Sequence, residues 1–138
     1  MSAVSTAAGP AAVNSCEPIL APIVSELKRQ HWVRGALIVA ADGFVIAAEL
    51  PGTIEVDSMA ALAATLGREL ETSAQRLGRP SFCTALFSAD DGTMFLAASR
   101  IGYLVVLAEQ QVNVQAIRGA LAEAVGLIDA AWAGEAAG

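Results

Sequence analysis

The sequence predicts an α/β domain of the α+β kind, in which five antiparallel strands form one sheet and helices cover both of its faces. Helix-like and strand-like runs follow one another as α-β-β-α-β-β-β-α, with turn signals at Asp42-Gly43 and Asp91-Gly92. The strands on either side of Asp42 are apolar on both faces, whereas a strand pair with one solvated face alternates apolar and polar residues. A three-layer sandwich accounts for this pattern, because three helices suffice to cover both faces.

The first helix is predicted between about Glu17 and His31. Its apolar side chains recur at helical spacing: Ile19, Ile23, Val24 and Leu27. Residues 1–15 carry no charge and consist mainly of small residues, so we expect a flexible N-terminal tail there. The domain is accordingly predicted to span residues 16–132, and residues 133–138 are expected to fray.

The two strands that follow are predicted in "ALIVAADGFVIAAEL", from Ala36 to Leu50. Asp-Gly between two apolar runs is a strong hairpin signal. A type I′ turn is expected at Asp42-Gly43, because aspartate and glycine tolerate the positive φ that this turn needs at both central residues.

The second helix is predicted from about Asp57 to Leu77, after the break at "PGT" and before Gly78. Its apolar stripe is expected to face the sheet: Met59, Leu62, Ala63, Leu66, Leu70, Ala74 and Leu77. The other side carries small residues where a solvated helix normally carries charges, and polar residues continue it. Small side chains let another backbone approach closely, so we expect a partner protein to bind this side: Ala60, Ala61, Ala64, Gly67, Arg68, Glu71 and Gln75.

Three further strands are predicted in "SFCTALFSA", "TMFLAAS" and "YLVVLAE". The last helix is expected to begin near Asn113, a good N-cap residue, and to end near Trp132. Its apolar positions fall on one face: Val114, Ile117, Leu121, Val125 and Ile128.

Composition argues against several classes of function. A formal net charge of −6 disfavours nucleic acid as a partner, because phosphate binding requires clustered Lys and Arg. Membrane insertion is not expected, since no apolar run is long and uncharged enough to span a bilayer. The N-terminus has no basic segment typical of a signal peptide. Two cysteines without paired spacing, Cys16 and Cys83, favour a reduced, cytoplasmic protein.

Residues that could support catalysis or bind a cofactor are sparse. Lys28 is the only lysine and does not follow a glycine-rich turn, so the chain is not itself a P-loop GTPase. His31 is the only histidine and has no predicted metal-ligating or acid–base partner nearby. We therefore expect no cofactor, no metal and no catalytic residue. Arg100, at a predicted turn, is the arginine best placed to act on a partner's phosphate, but a solvated arginine is the favoured interpretation.

The chain resembles the Roadblock/LC7 domain family over roughly residues 17–130. The resemblance rests on the hairpin "GALIVAADGFVIAAE", the helix "DSMAALAATLGRELETSAQRLG", the strand pair "TMFLAASRIGYLVVLAEQQVNV" and the start of the last helix at Asn113. Gln115 stands where the family often has glycine. The fold implied is a profilin-like three-layer sandwich.

This resemblance implies a homodimeric scaffold or regulator of a small Ras-like GTPase rather than an enzyme. In the family's dimers the third strands pair across a two-fold axis and the second helices lie side by side. The implied dimer interface in this chain is Phe82, Cys83, Thr84, Ala85 and Leu86. Bacterial members of the family regulate GTPases of the gliding-motility type, including by stimulating GTP hydrolysis without an arginine finger.

Three alternatives stay open on sequence grounds. A small-ligand sensor of the PAS or profilin type has a similar sheet but requires a cavity with inward polar groups. A general interaction module, such as a dynein-light-chain-like adaptor, shares the fold without a GTPase partner. A small enzyme is disfavoured by the lack of a catalytic constellation.

Overall fold

The computed structural model describes residues 11–110 and 112–137 and contains the eight elements in the predicted order. These are α1 (Ala11–Lys28), β1 (Val33–Ala40), β2 (Val45–Glu49), α2 (Val56–Arg76), β3 (Thr84–Ala89), β4 (Gly92–Ala98), β5 (Gly102–Ala108) and α3 (Val114–Ala137). No helix in the described ranges is long and apolar enough to cross a membrane.

Both terminal helices are longer than predicted. Helix α1 begins at Ala11 rather than near Glu17, and α3 continues past Trp132 to Ala137. Alanine is the strongest helix former, and two alanines at 11–12 and three between 133 and 137 favour these extensions. Segments 11–15 and 133–137, predicted as part of a flexible tail and a frayed end, are therefore helical, and their flexibility stays a prediction. Positions 1–10 and 138, which belong to the same two predictions, lie outside the described residues.

The five strands form one antiparallel sheet in the order β2-β1-β5-β4-β3. This confirms the predicted sheet. Strands β1 and β5 are the long central pair, with Leu37 opposite Val105 and Ile38 opposite Leu104. Strands β2 and β3 form the two edges.

Helices cover both faces of the sheet, as predicted. Helices α1 and α3 enclose one hydrophobic cluster with side chains such as Ile38, Phe95 and Leu104. Helix α2 packs on the opposite face, over Leu37, Val39, Tyr103 and Val105 among others. Because neighbouring residues of β1 point into different layers, the first hairpin has to be apolar on both faces.

The turn of the first hairpin differs from the predicted type I′. Gly43 has a φ of +94°, but no non-glycine residue in the described ranges has a positive φ, so Asp42 does not adopt the required conformation. The Gly43 N–H donates to Ala40 O (2.9 Å) and the Ala40 N–H donates to Phe44 O (2.8 Å). These bonds close a three-residue loop in which glycine takes the left-handed position. The Asp42 carboxylate accepts a bond from the Phe44 N–H (3.0 Å), which stabilises this loop.

Candidate functional site

Strand β3 is an edge strand with apolar side chains left uncovered on both faces of the sheet. Within the described chain it pairs with β4 alone, and none of its residues is fully buried. Leu86, opposite Phe95, lies on the α1–α3 side and is 43% exposed; Phe87, opposite Met94, lies on the α2 side and is also exposed. An apolar strand with an unpaired edge is a site for pairing with another chain.

A cleft of about 360 Å³ lies beside β3 on the α2 face. Its apolar walls come from the segment before α2, the first turn of α2 and the three neighbouring strands: Pro51, Ile54, Met59, Phe87, Met94 and Leu107. Arg34 also lines the cleft, and its Nη1 donates to the main-chain oxygen of Asp91 (2.9 Å). Helix α2 therefore leaves the β3 side of this face open in the single chain.

The residues predicted for a dimer interface lie at this edge, but they differ in accessibility. Cys83 and Leu86 are exposed, and Thr84 and Ala85 are half-buried. Phe82 precedes the strand and stacks on Tyr103 within the same chain, with ring centroids 6.2 Å apart. The structure thus places this segment at an edge of the sheet, whereas pairing with a second copy stays a prediction.

Helix α2 is rotated relative to the predicted orientation. Ala60, Ala64 and Gly67, predicted on the accessible side, are buried together with Ala63. Leu62 and Leu77, predicted to face the sheet, are exposed instead. Half-buried Met59, Leu66 and Leu70 and buried Ala74 do pack on the sheet side, as predicted. A partner protein cannot reach Ala60, Ala64 or Gly67 while α2 stays in place.

Tyr103 explains why small residues face the sheet. It is buried at the centre of the α2 face, and a Cβ atom at position 67 would lie 2.4 Å from its Cζ. Only glycine fits over the ring at this distance. The small residues of α2 therefore do permit a close approach, but what approaches them is the chain's own sheet and not a partner protein.

Glu71, another predicted partner-binding residue, is half-buried and engaged within the chain. The Tyr103 hydroxyl donates to Glu71 Oε1 (2.6 Å), and the Ser81 hydroxyl donates to Glu71 Oε2 (3.4 Å). With the stacked Phe82 ring, these contacts fix the segment between α2 and β3 against the helix. Burial, followed by the hydrogen bond to Glu71, raises the pKa of Tyr103 well above its usual value.

Replacing Gly67 by alanine is expected to destabilise the domain by about 2 kcal/mol, because the new methyl group overlaps the Tyr103 ring. In a Tyr103→Leu background the same change should be neutral or stabilising by up to about 1 kcal/mol, since alanine is the better helix former. Urea unfolding of the four proteins measures both effects. Equal effects in the two backgrounds would show that the ring is not what requires glycine.

Alkaline pH is expected to destabilise the protein through Tyr103. Its raised pKa means that the neutral phenol is favoured more in the folded than in the unfolded chain, so this stabilisation is complete below pH 10 and is lost above it. The free energy of unfolding should fall by up to about 1.4 kcal/mol per pH unit in that range, and Tyr103→Phe should lack this component. Tyr103 is the only tyrosine, so tyrosinate absorbance reports it alone. Tyrosinate absorbance that develops near pH 10 while the protein is still folded would contradict the prediction.

The accessible side of α2, here termed the outer face, consists of Ala61, Leu62, Thr65, Arg68, Thr72 and Gln75. It retains three of the seven predicted partner-binding residues: Ala61, Arg68 and Gln75. The Arg68 guanidinium donates to the main-chain oxygen of Ala41 and so bridges α2 to the first hairpin. Leu62, missed in the prediction, is the large apolar side chain of this face and is 47% exposed.

Neither surface contains a cluster of reactive side chains. No three His, Cys, Asp or Glu side chains among the described residues are grouped so that they could hold a metal ion. His31 is exposed, and the Arg100 N–H donates to Asp129 Oδ1 (2.8 Å) while its side chain is exposed to solvent. The arrangement suits contact with other proteins.

Comparison with known proteins identifies the family. A family model described as the Roadblock/LC7 domain matches residues 21–108, which is more than half of the chain. This chain belongs to the Roadblock/LC7 domain family. The uncharacterized protein MJ0714 of Methanocaldococcus jannaschii is 28% identical to this family member over 102 residues, covering 74% of this chain and 86% of that protein.

Solved structures share the Roadblock/LC7 fold of this chain. MglB of Myxococcus xanthus superposes with a TM-score of 0.81 at 14% identity, covering 86% of this chain and 91% of that one. A Roadblock/LC7 domain from Streptomyces avermitilis gives 0.70 at 21% identity, with 77% and 91% covered. The gliding protein MglB of Thermus thermophilus gives 0.71 at 16% identity, with 89% and 93% covered.

Proposed function

We propose that this protein is a homodimeric scaffold or regulator of a small Ras-like GTPase. In this proposal it self-associates through β3 and presents the outer face of α2 to the GTPase. The observation that carries the proposal is the uncovered apolar edge at β3, because a strand of this kind needs a partner chain. Membership of the Roadblock/LC7 family supports the GTPase as the class of partner.

The contrast between the two sheet edges supports assembly through β3 rather than β2. Strand β2 has five residues, a register shift along its pairing with β1, and a terminal Glu49 that accepts a bond from the Ser25 hydroxyl. Shortness, irregularity and charge are features that protect an edge from pairing. Strand β3 contains no charged residue between Thr84 and Ala89. A second copy paired with β3 would also be adjacent to the open cleft. A related solved structure is described as MglB with a tetrameric arrangement.

The role proposed toward the GTPase is regulatory and non-catalytic. The chain has no P-loop lysine, so nucleotide would be bound by the partner. The outer face of α2 offers Leu62 as an apolar anchor, with Arg68 and Gln75 for polar contacts. Stimulation of GTP hydrolysis would then follow from remodelling of the GTPase, without an arginine finger from this chain.

Mixing the protein with a small Ras-like GTPase encoded by the same genome tests the proposal. Calorimetric titration should detect binding that depends on whether the GTPase carries GDP or a non-hydrolysable GTP analogue. Leu62→Lys should weaken this binding at least roughly tenfold, equivalent to about 1.4 kcal/mol, because a charge replaces the apolar anchor. Leu127→Lys, at a leucine of α3 with comparable exposure (54%), is the matched control and should bind normally. Equal losses in both variants, or no binding to any such GTPase, would contradict the proposed partner surface.

One observation favours a small-ligand sensor as a second candidate. The cleft beside β3 falls within the usual volume range of ligand sites, roughly 300–1,000 Å³, and Arg34 and the largely buried Thr93 contribute polar groups to its lining. A monomeric protein whose unfolding temperature rises with small molecules, and which does not bind GTPases, would favour this function.

A further inference from the structure

A second groove lies in the layer opposite α2, on the outer surface between α1 and α3. It has a volume of about 220 Å³. Its apolar side chains come from both helices: Ile23, Leu27, Ala120, Ala124 and Leu127. Leu127 is the most exposed of them, at 54%, and exposed Ile19 lies one helical turn before Ile23 on α1. The groove is therefore an apolar depression between two helices, with exposed apolar side chains in it and beside it.

Helix α3 has two open glycines near, but not among, the residues that line the groove. A Cβ atom added at Gly119 or Gly126 would meet no atom within 4 Å, so no packing inside the chain requires glycine there. Glycine weakens a helix relative to alanine, and two open glycines therefore make α3 less stable without an internal benefit. These glycines would permit another protein segment to come close to α3, but they do not indicate the chemistry of that segment.

Charge along the groove indicates the chemistry of the occupant. Glu26 on α1 and Glu123 on α3 line it, and none of its eight described lining residues is basic. Arg29 contacts Glu26 (3.6 Å) while both side chains stay largely exposed. Arg118 of α3 lines a different depression, beside β3 and β4. A second copy seated on the same surface would bring two more carboxylates toward these, in a chain with a formal charge of −6.

We propose that the α1–α3 groove binds an amphipathic helix of a partner protein, with leucine-like anchors on one side and Lys or Arg along its flanks. Apolar residues at helical spacing in an apolar groove are an established mode of helix recognition. The anchors fit against Ile23 and Leu127, and the basic flanks pair with Glu26 and Glu123. This site is on the opposite side of the sheet from the outer face of α2, so it does not depend on the GTPase proposal.

Two designed peptides of about five helical turns test the proposal, because peptides of this length are long enough to form helix on binding. Both carry leucine at the same helical positions, but one has lysine and the other glutamate on its flanks. Fluorescence anisotropy with the full chain should give binding of the lysine peptide and at least tenfold weaker binding of the glutamate peptide. Leu127→Lys should weaken the lysine peptide at least tenfold. Leu77→Lys changes the net charge equally at an exposed leucine of the α2–β3 region and should have no effect.

The variant Glu123→Lys is expected to change the affinities of the two peptides in opposite directions. It should weaken the lysine peptide and strengthen the glutamate peptide, which a merely structural defect cannot do. Equal losses in Leu127→Lys and Leu77→Lys would mean non-specific attraction of a cationic peptide and would overturn the proposal. A change in the sedimentation mass of the protein alone on Leu127→Lys would identify a second copy as the occupant, and absence of binding by the lysine peptide would overturn the proposal outright.

Discussion

Replacing Ala64 by arginine is expected to unfold the domain, whereas replacing Ala61 by arginine should leave it folded. Ala64 is 2% exposed on the sheet-facing side of α2, and Ala61, less than one turn earlier, is exposed. A guanidinium forced under the helix loses its water without gaining a partner, so the Ala64 variant should lose about 4 kcal/mol or more. The Ala61 variant should change by no more than about 0.5 kcal/mol, because arginine is a good helix former.

Chemical denaturation followed by circular dichroism compares the two variants directly. They have the same composition and charge, so a difference reports only which side of α2 is buried. A stable Ala64→Arg protein with native spectra would mean that α2 is rotated toward the orientation predicted from the sequence. In that case Leu62 would pack against the sheet and would no longer be available as an anchor for a partner.

The orientation of α2 could not be predicted from α2 alone. Hydrophobic patterning assigns leucine to the core ahead of alanine, and therefore placed Leu62 and Leu77 against the sheet. In the structure the deciding residue is Tyr103, which belongs to β5 and projects under the helix. Because the ring is bulky, only glycine fits directly above it in α2, and only small residues fit around it. Pairing a lone large aromatic of a central strand with the glycine of the covering helix is the signal that could have corrected the prediction.

The sheet was more predictable than the helix that covers it. Turn residues delimit the strands locally, and short connections account for the antiparallel pairs β1–β2, β3–β4 and β4–β5. The β1–β5 pair, which joins the two groups of strands, links distant segments and does not follow from local signals. The hairpin loop was less predictable because its conformation depends on main-chain bonds between Ala40 and Phe44. At β3, the predicted interface stopped at Leu86, although Phe87 belongs to the same apolar run and lies on the other exposed face. Because consecutive side chains of a strand point to opposite faces, an edge interface that uses both faces would include Phe87 as well as Leu86.

Placing lysine at both exposed apolar positions of β3, Leu86→Lys with Phe87→Lys, is expected to convert the protein from dimer to monomer. The unmodified protein should have twice the 14.1 kDa chain mass by light scattering at micromolar concentration. Charges on either face of an edge strand oppose pairing, as edge lysines do in natural sheets. The dimer dissociation constant should rise at least roughly a hundredfold, equivalent to about 2.8 kcal/mol. Stability of the monomer should change little, because both side chains are already partly exposed.

The matched control for this variant is Leu127→Lys combined with Leu62→Lys, which adds the same charge on α3 and on the outer face of α2. Two lysines raise the net charge from −6 to −4 in either protein, so general repulsion cannot explain a difference between them. If the β3 variant is monomeric while the control stays dimeric, the dimer forms through the edge of β3. If the control alone dissociates, the helices rather than β3 hold the copies together. If the unmodified protein is already a monomer, the apolar edge and its cleft must serve another partner, and the small-ligand candidate gains support because its site is then open to solvent.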